Sequence, residues 1–140
     1  MYRSSVWILG DQLLANHPAL RSVEGKGNIR VVIIESQLRI QKQPYQRKKL
    51  VLLLSAMRHY AEDLRHKGYV VDYVKTDTFR TGLKKHIIQN NSTELIMMAA
   101  ATYEGRRFQK KLEKELEVPI LIMPNTQFLV GSYNPIPDPE

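Results

Sequence analysis

A chain of 140 residues suffices for one domain, which at this size buries roughly 68–70% of its unfolded surface without staples. The absence of cysteine excludes disulfides, thiolate nucleophiles and cysteine-ligated zinc or iron–sulfur centres within these residues. A formal charge of +7, from 21 basic and 14 acidic residues, favours an anionic partner without identifying one, and no apolar run approaches the roughly 18 residues of a membrane span or a secretory leader, so a soluble, cytoplasmic chain is expected.

The first element is the run Val6-Trp7-Ile8-Leu9, which stops at Gly10-Asp11-Gln12-Leu13. A run this apolar and without alternation reads as a strand covered on both faces. The polar residues at its carboxyl end, Asp11 and Gln12, then lie where ligands sit in open α/β sheets. Asn16 or His17 caps one or two helical turns, with Pro18 at a first helical position. Gly25-Lys26-Gly27-Asn28 forces a turn; it lacks the third glycine of a phosphate-binding fingerprint.

Residues 29–34 form the second strand, ending at Glu35-Ser36, and residues 38–43 read as a loop over the sheet's rim. The longest helix is expected from about Pro44 to Lys67. Leu50, Leu53, Leu54, Met57, Tyr60, Ala61 and Leu64 recur at helical spacing, and Gly68 stands as the stop. Its first turns carry Arg47, Lys48 and Lys49, where the helix dipole disfavours cations; a bound anion or a rim carboxylate such as Glu35 would offset that, and the other reading is an ordinary solvated basic turn.

Residues 69–74 are the third strand, more alternating and so nearer an edge. Asp77 or Thr78 caps a helix that turns Phe79, Leu83, His86 and Ile87 to one face and ends at Asn90-Asn91-Ser92. The fourth strand spans residues 94–99, followed by the rim Ala100 to Gly105. A helix over about residues 105–117 points Phe108, Leu112 and Leu116 inward and Arg106, Arg107, Lys110, Lys111 and Lys114 outward. Residues 118–123 make the fifth strand, with Pro119 at its start. Residues 132–140, rich in proline, form a linker or tail after a domain of residues 1–131.

Five strand–helix alternations call for an α/β fold with one parallel sheet, helices on both faces and right-handed crossovers. With the evenly apolar first strand central, the expected order is 3-2-1-4-5, and the crevice opens between strands one and four. No Gly-x-Ser-x-Gly elbow, Walker sequence or nucleophilic triad is visible, and the four histidines fall on caps or helix faces. Asp11, Gln12, Glu35 and Ser36 with Lys49 and the rings of Tyr45 and Tyr103 suit the binding of a planar heterocycle carrying a polyol or carboxylate tail. Two other readings stay open. One is a basic nucleotide- or nucleic-acid-binding module using the faces of the long and last helices; the other is a small nucleotide-binding hydrolase or transferase working through Asp11.

A group of motifs narrows this. They are Trp7 to Leu13, Lys49-Leu50 with Leu54 to Ala61, Leu64 with Gly68 and Val71-Asp72-Tyr73, Thr102-Tyr103-Glu104-Gly105, and Gln127-Phe128-Leu129. Together they resemble the deoxyribodipyrimidine photolyase-related proteins, the iron–sulfur bacterial cryptochromes and (6-4) photolyases. The resemblance implies a Rossmann-like antenna domain that binds 6,7-dimethyl-8-ribityllumazine or another antenna chromophore. It also implies a separate helical domain, in cis or in trans, with FAD and a [4Fe–4S] cluster, and a role in light-driven DNA repair or light sensing, so that this chain is not catalytic alone. Two positions depart from the family pattern: Tyr45-Gln46-Arg47 replaces a usual histidine before Lys-Leu, and Asn125 stands for a frequent aspartate.

Overall fold

A computed structural model of the chain describes residues 4–22, 29–37 and 47–128. The expected turn at 25–28, the loop at 38–43, Pro44 and Tyr45 ahead of the long helix, and the segment from 129 onward with its domain boundary lie outside those residues.

Five strands, β1 (Ser4–Trp7), β2 (Ile29–Ser36), β3 (Val70–Thr76), β4 (Glu94–Met98) and β5 (Ile120–Met123), form one sheet in the order β3-β2-β1-β4-β5. Every pairing is parallel. The helices are α1 (Pro18–Arg21), α2 (Arg47–His66), α3 (Phe79–Asn90) and α4 (Tyr103–Glu115), followed by a 3-10 turn at Thr126–Phe128. The expected order and both covered faces are therefore found.

Side-chain parity explains the unbroken apolar runs. Val6, Ile8, Val31, Ile33 and Ile96 pack on one face with Ala19 and Leu20 of α1 and Met57, Ala61 and Leu64 of α2. Trp7, Val32, Ile34, Leu95 and Met97 pack on the other with Leu83 of α3 and Leu112 of α4. A strand that feeds two cores has no polar face to show. Trp7 also packs in an aromatic cluster, its ring centroid 5.3 Å from Phe79 and 6.3 Å from Phe108.

The first strand lies two residues earlier than the apolar run suggests, because the hydroxyls of Ser4 and Ser5 find partners inside the fold. Ser4 Oγ donates to Glu94 at 2.6 Å, and Ser5 Oγ lies 2.8 Å from His86 and 2.5 Å from Ser92. Pairing ends at Trp7 apart from a bond from Ile8 N to Val32 O at 3.1 Å. The last helix also begins earlier than expected, since Thr102 caps it by accepting from Gly105 N at 3.0 Å. The other ends follow the sequence signals. His17 caps α1 ahead of Pro18, Thr78 caps α3, Asn91 closes α3 at φ 51°, and Gly68, at φ 98°, ends α2.

Candidate functional site

The order β3-β2-β1-β4-β5 reverses direction between β1 and β4, the place where an open parallel sheet leaves a crevice beyond its carboxyl ends. β1 stops at Trp7, and a tight turn follows, closed by Gln12 N donating to Leu9 O at 2.9 Å. α2 presses on this turn: a Cβ at Gly10 would stand 3.1 Å from Met57 Sδ. Tyr60 of α2 fixes the same connection by donating its hydroxyl to Leu14 O at 2.6 Å, and burial pushes that hydroxyl's pKa up to about 12.

Beyond the last pairings of β4 with β1, side-chain amides from separate elements converge on β4's closing residues. Gln12 donates to Ala99 O at 3.1 Å and Met98 O at 3.4 Å. Gln109 of α4 donates to Met98 O at 2.9 Å and accepts from Ala100 N at 2.9 Å. Asn125, after β5, donates to Ala99 O at 2.8 Å and accepts from Gln127 N at 2.8 Å; Gln127 in turn donates to Asp11 O at 2.6 Å. Arg106 holds Ala100 O and Ala101 O at 3.2 and 3.1 Å. Buried backbone groups must be paired, and here amides supply what a neighbouring strand would.

One group in this lattice is left open. Gln12 is fully buried, yet its side-chain oxygen has no hydrogen-bond partner. Its orientation is fixed chemically: the nitrogen faces two carbonyls, so exchanging nitrogen and oxygen would set acceptor against acceptor. An unpartnered buried acceptor costs about 1–3 kcal/mol, a cost that a donor from a ligand removes. Two buried donors, Trp7 Nε1 and His17 Nε2, also lack a partner and belong to the same stretch, the end of β1 and the connection after it.

The residues singled out in the sequence divide. Asp11 is exposed at the rim and contributes its backbone oxygen, beside buried Gln12. Tyr103 opens α4 on the rim, 67% exposed, with the Arg107 guanidinium 5.9 Å from its ring centre. Ser36 is turned to the α3 face and donates to Asp77 O at 3.0 Å, while Lys49 is exposed near the start of α2. Tyr45 lies outside the described residues.

Glu35 shares the parity of Val31 and Ile33 and so lies under α2, 3% exposed. Its described partners lie in the middle of that helix and on β3 rather than at the helix start. Its carboxylate accepts from Arg58 Nε at 3.1 Å, from Arg58 Nη2 at 3.4 Å and from the Tyr73 hydroxyl. Burial and then this carboxylate hold the Tyr73 hydroxyl well above its ordinary range, and the same carboxylate raises Arg58. A shallow recess of about 300 Å³ opens beside this group at the β3 edge, lined by Arg58, Ala61, Glu62, Arg65, Tyr73 and Lys75. Its arginines are already engaged, Arg58 with Glu35 and Arg65 with Glu62.

At the opposite, amino end of the sheet the fold assembles a relay that the sequence does not reveal. Ser5 Oγ lies 2.8 Å from His86 Nε2, and His86 Nδ1 lies 2.8 Å from Asp72 Oδ2. The atoms match a nucleophilic triad, but Ser5 is fully buried and also bonded to Ser92, so no substrate carbonyl reaches it. The relay ties β1, α3 and β3 together. Among the described residues no group of three His, Cys, Asp or Glu side chains is placed to hold a metal ion.

The fold is an α/β domain whose carboxyl rim between β1 and β4 is built of side-chain amides and backbone carbonyls. The chain matches the family model described as deoxyribodipyrimidine photo-lyase-related protein over residues 6–134, and it belongs to that family. A (6-4) photolyase of Agrobacterium fabrum (strain C58 / ATCC 33970) is 40% identical over 72 residues, which cover 51% of this chain and 14% of that protein. The solved structure of the hypothetical protein MJ0577 aligns over 90% of this chain and 99% of its own at a TM-score of 0.54 and 10% identity, a likeness of fold. No described helix is long and apolar enough to cross a membrane.

Proposed function

We propose that the carboxyl rim between β1 and β4 holds a planar, light-absorbing heterocycle, and that the chain serves as the antenna-chromophore domain of a photolyase-related flavoprotein. The observation that carries this reading is the buried, unpartnered oxygen of Gln12, an acceptor waiting for an N–H or O–H donor at the switch point. 6,7-Dimethyl-8-ribityllumazine would suit these acceptors, with a ring N–H for the Gln12 oxygen and ribityl hydroxyls for the Asp11 carboxylate, and Tyr103 would offer its ring a face. When bound, it would absorb near-ultraviolet or blue light and pass the excitation to a flavin held by a separate helical domain, in cis or in trans. The protein's part is to fix orientation and exclude water, which needs no acid or base. The chain has no cysteine, so the [4Fe–4S] cluster implied for such a protein would be held by other residues.

Titrating the purified chain with the lumazine, a folate and a deazaflavin, followed by absorbance and fluorescence, tests the reading. Micromolar binding of one of them, weakened about tenfold or more by Gln12→Leu as expected for loss of one buried hydrogen bond, supports it. Failure of all three to bind at micromolar concentration overturns it.

A further inference from the structure

The recess at the β3 edge stands two strands away from the β1–β4 crevice and takes no part in it. Its shape follows from helical spacing. Arg58, Ala61, Glu62 and Arg65 fall at i, i+3, i+4 and i+7 on α2 and make one wall, while Tyr73 and Lys75, alternate residues of β3, make the other. The turns that carry the two arginines are about 10 Å apart along the helix axis. Between them the short side chain of Ala61, 1% exposed, leaves the hollow and forms its apolar floor.

The two ends of the recess differ in charge. At one end Arg65 is satisfied, with Nη1 donating to Glu62 at 2.6 Å and Nη2 donating to Val71 O at 3.1 Å. At the other, Glu35 engages two nitrogens of the Arg58 guanidinium, whose side chain is still 52% exposed. Lys75 stands opposite Glu35 in the register of β2 with β3 and is exposed; among the described residues no carboxylate pairs with its ammonium. This end therefore sets two cations, Arg58 and Lys75, against one buried carboxylate. Asp63 and Asp77 do not line the recess, and Asp72 lies on the other face of β3, paired with His86.

We propose that the recess binds a small monocarboxylate carried on a flat apolar body, its charge between Arg58 and Lys75 and its body over Ala61 and the Tyr73 ring. A guanidinium with donors to spare suits the planar carboxylate group. The excess of one positive charge at that end matches a monoanion, since Glu35 already neutralises the other. A volume of about 300 Å³ sits at the lower end of the range for small-molecule sites, which suits a body of about one ring. The proposal is independent of what the β1–β4 rim binds.

The test is a nuclear magnetic resonance titration of the isotope-labelled chain with sodium benzoate at low, constant ionic strength. Parallel titrations use benzyl alcohol, which keeps the ring without the charge, and sodium acetate, which keeps the charge without the ring. Benzoate is expected to shift the backbone amides of Ala61, Arg65, Tyr73 and Lys75 saturably, with a Kd on the order of 1 mM. Lys75→Gln should weaken binding about threefold or more, while Lys85→Gln, the same loss of charge on α3, should leave Kd within a factor of about two. Arg58 is left in place, because removing it would strand the buried Glu35 carboxylate. Four results would each overturn the proposal: no saturable shift with benzoate up to about 20 mM, equal shifts of these amides by benzyl alcohol or acetate, equal weakening by the two variants, or tighter binding of hexaglutamate than of benzoate at equal carboxylate concentration.

Discussion

His17 offers the most quantitative handle on the β1–α1 connection. The side chain is fully buried, and Nδ1 accepts from Ala19 N at 3.1 Å as the cap of α1, which places the proton on Nε2. Burial lowers its pKa from 6.5 to about 4, because the charged imidazolium would lose its hydration. Between these values the unfolded chain binds a proton that the folded chain refuses. The stability associated with His17 is therefore complete above about pH 6.5 and is lost as the pH falls toward 4. A difference of about 2.5 pH units at 1.36 kcal/mol each amounts to about 3 kcal/mol.

The informative variant is His17→Asn, which keeps a side-chain acceptor suited to a cap and removes the titrating group. Urea unfolding at intervals from pH 7.5 to 4 gives two stability curves, and subtracting one from the other cancels the carboxylates common to both. At neutral pH the parent is expected to be the more stable protein, since asparagine fills less of the buried site. The difference should shrink by about 3 kcal/mol, most of it between pH 6 and 4.5. Parallel curves would show that His17 is not buried as a neutral imidazole, and the description of this connection would fail with it.

Other expectations follow from the same packing. Gln109→Leu removes the side-chain partner of Ala100 N and the nearer of the two amide donors to Met98 O, and should cost about 2–4 kcal/mol in urea unfolding, whereas exposed Gln89→Leu should cost under about 0.5 kcal/mol. A Cβ at Gly105 would stand 2.6 Å from Ala100 Cβ, so Gly105→Ala should destabilise by roughly 1–3 kcal/mol. Gly10→Ala, which meets the flexible end of Met57, should cost less when the thermal melts of the two variants are compared. Ser5 should resist labelling by a fluorophosphonate under native conditions, while His86→Ala should lower stability by about 2–4 kcal/mol; stoichiometric labelling of the native protein would mean that the buried relay is an accessible triad.

The architecture was legible because its cause is simple. Strands whose neighbours on both faces are helices carry continuous apolar runs, and only β3, at an edge, alternates. β1 is central as expected, although the apolar run that pointed to it, Val6 to Leu9, overlaps the strand only at Val6 and Trp7. The site was legible in part. Asp11 and Gln12 lie on the rim because a polar turn directly follows the strand, but the amides that complete it, Gln109, Asn125 and Gln127, act on backbone carbonyls that only tertiary structure brings near. Gln109 left one signal: it is an uncharged amide on the inward side of an otherwise basic helix. Glu35 left a clearer one, since counting by twos from Val31 and Ile33 assigns it to the face of α2 and hence to Arg58. His86 left a signal of burial by sharing a helix face with Phe79, Leu83 and Ile87, but Ser5 gave none, because a serine before an apolar run reads as the end of a strand rather than as a buried member of it.

Nuclear magnetic resonance titration of the isotope-labelled chain with 6,7-dimethyl-8-ribityllumazine tests the central claim most directly, since it locates the ligand as well as detecting it. The account predicts saturable shifts for the Gln12 side-chain amide and for the backbone of Gly10, Asp11 and residues 99–103. Arg65 and Lys75, at the β3-edge recess, should stay unmoved. Shifts confined to that recess, or an unchanged Gln12 amide in a chain saturated with the lumazine, would contradict it.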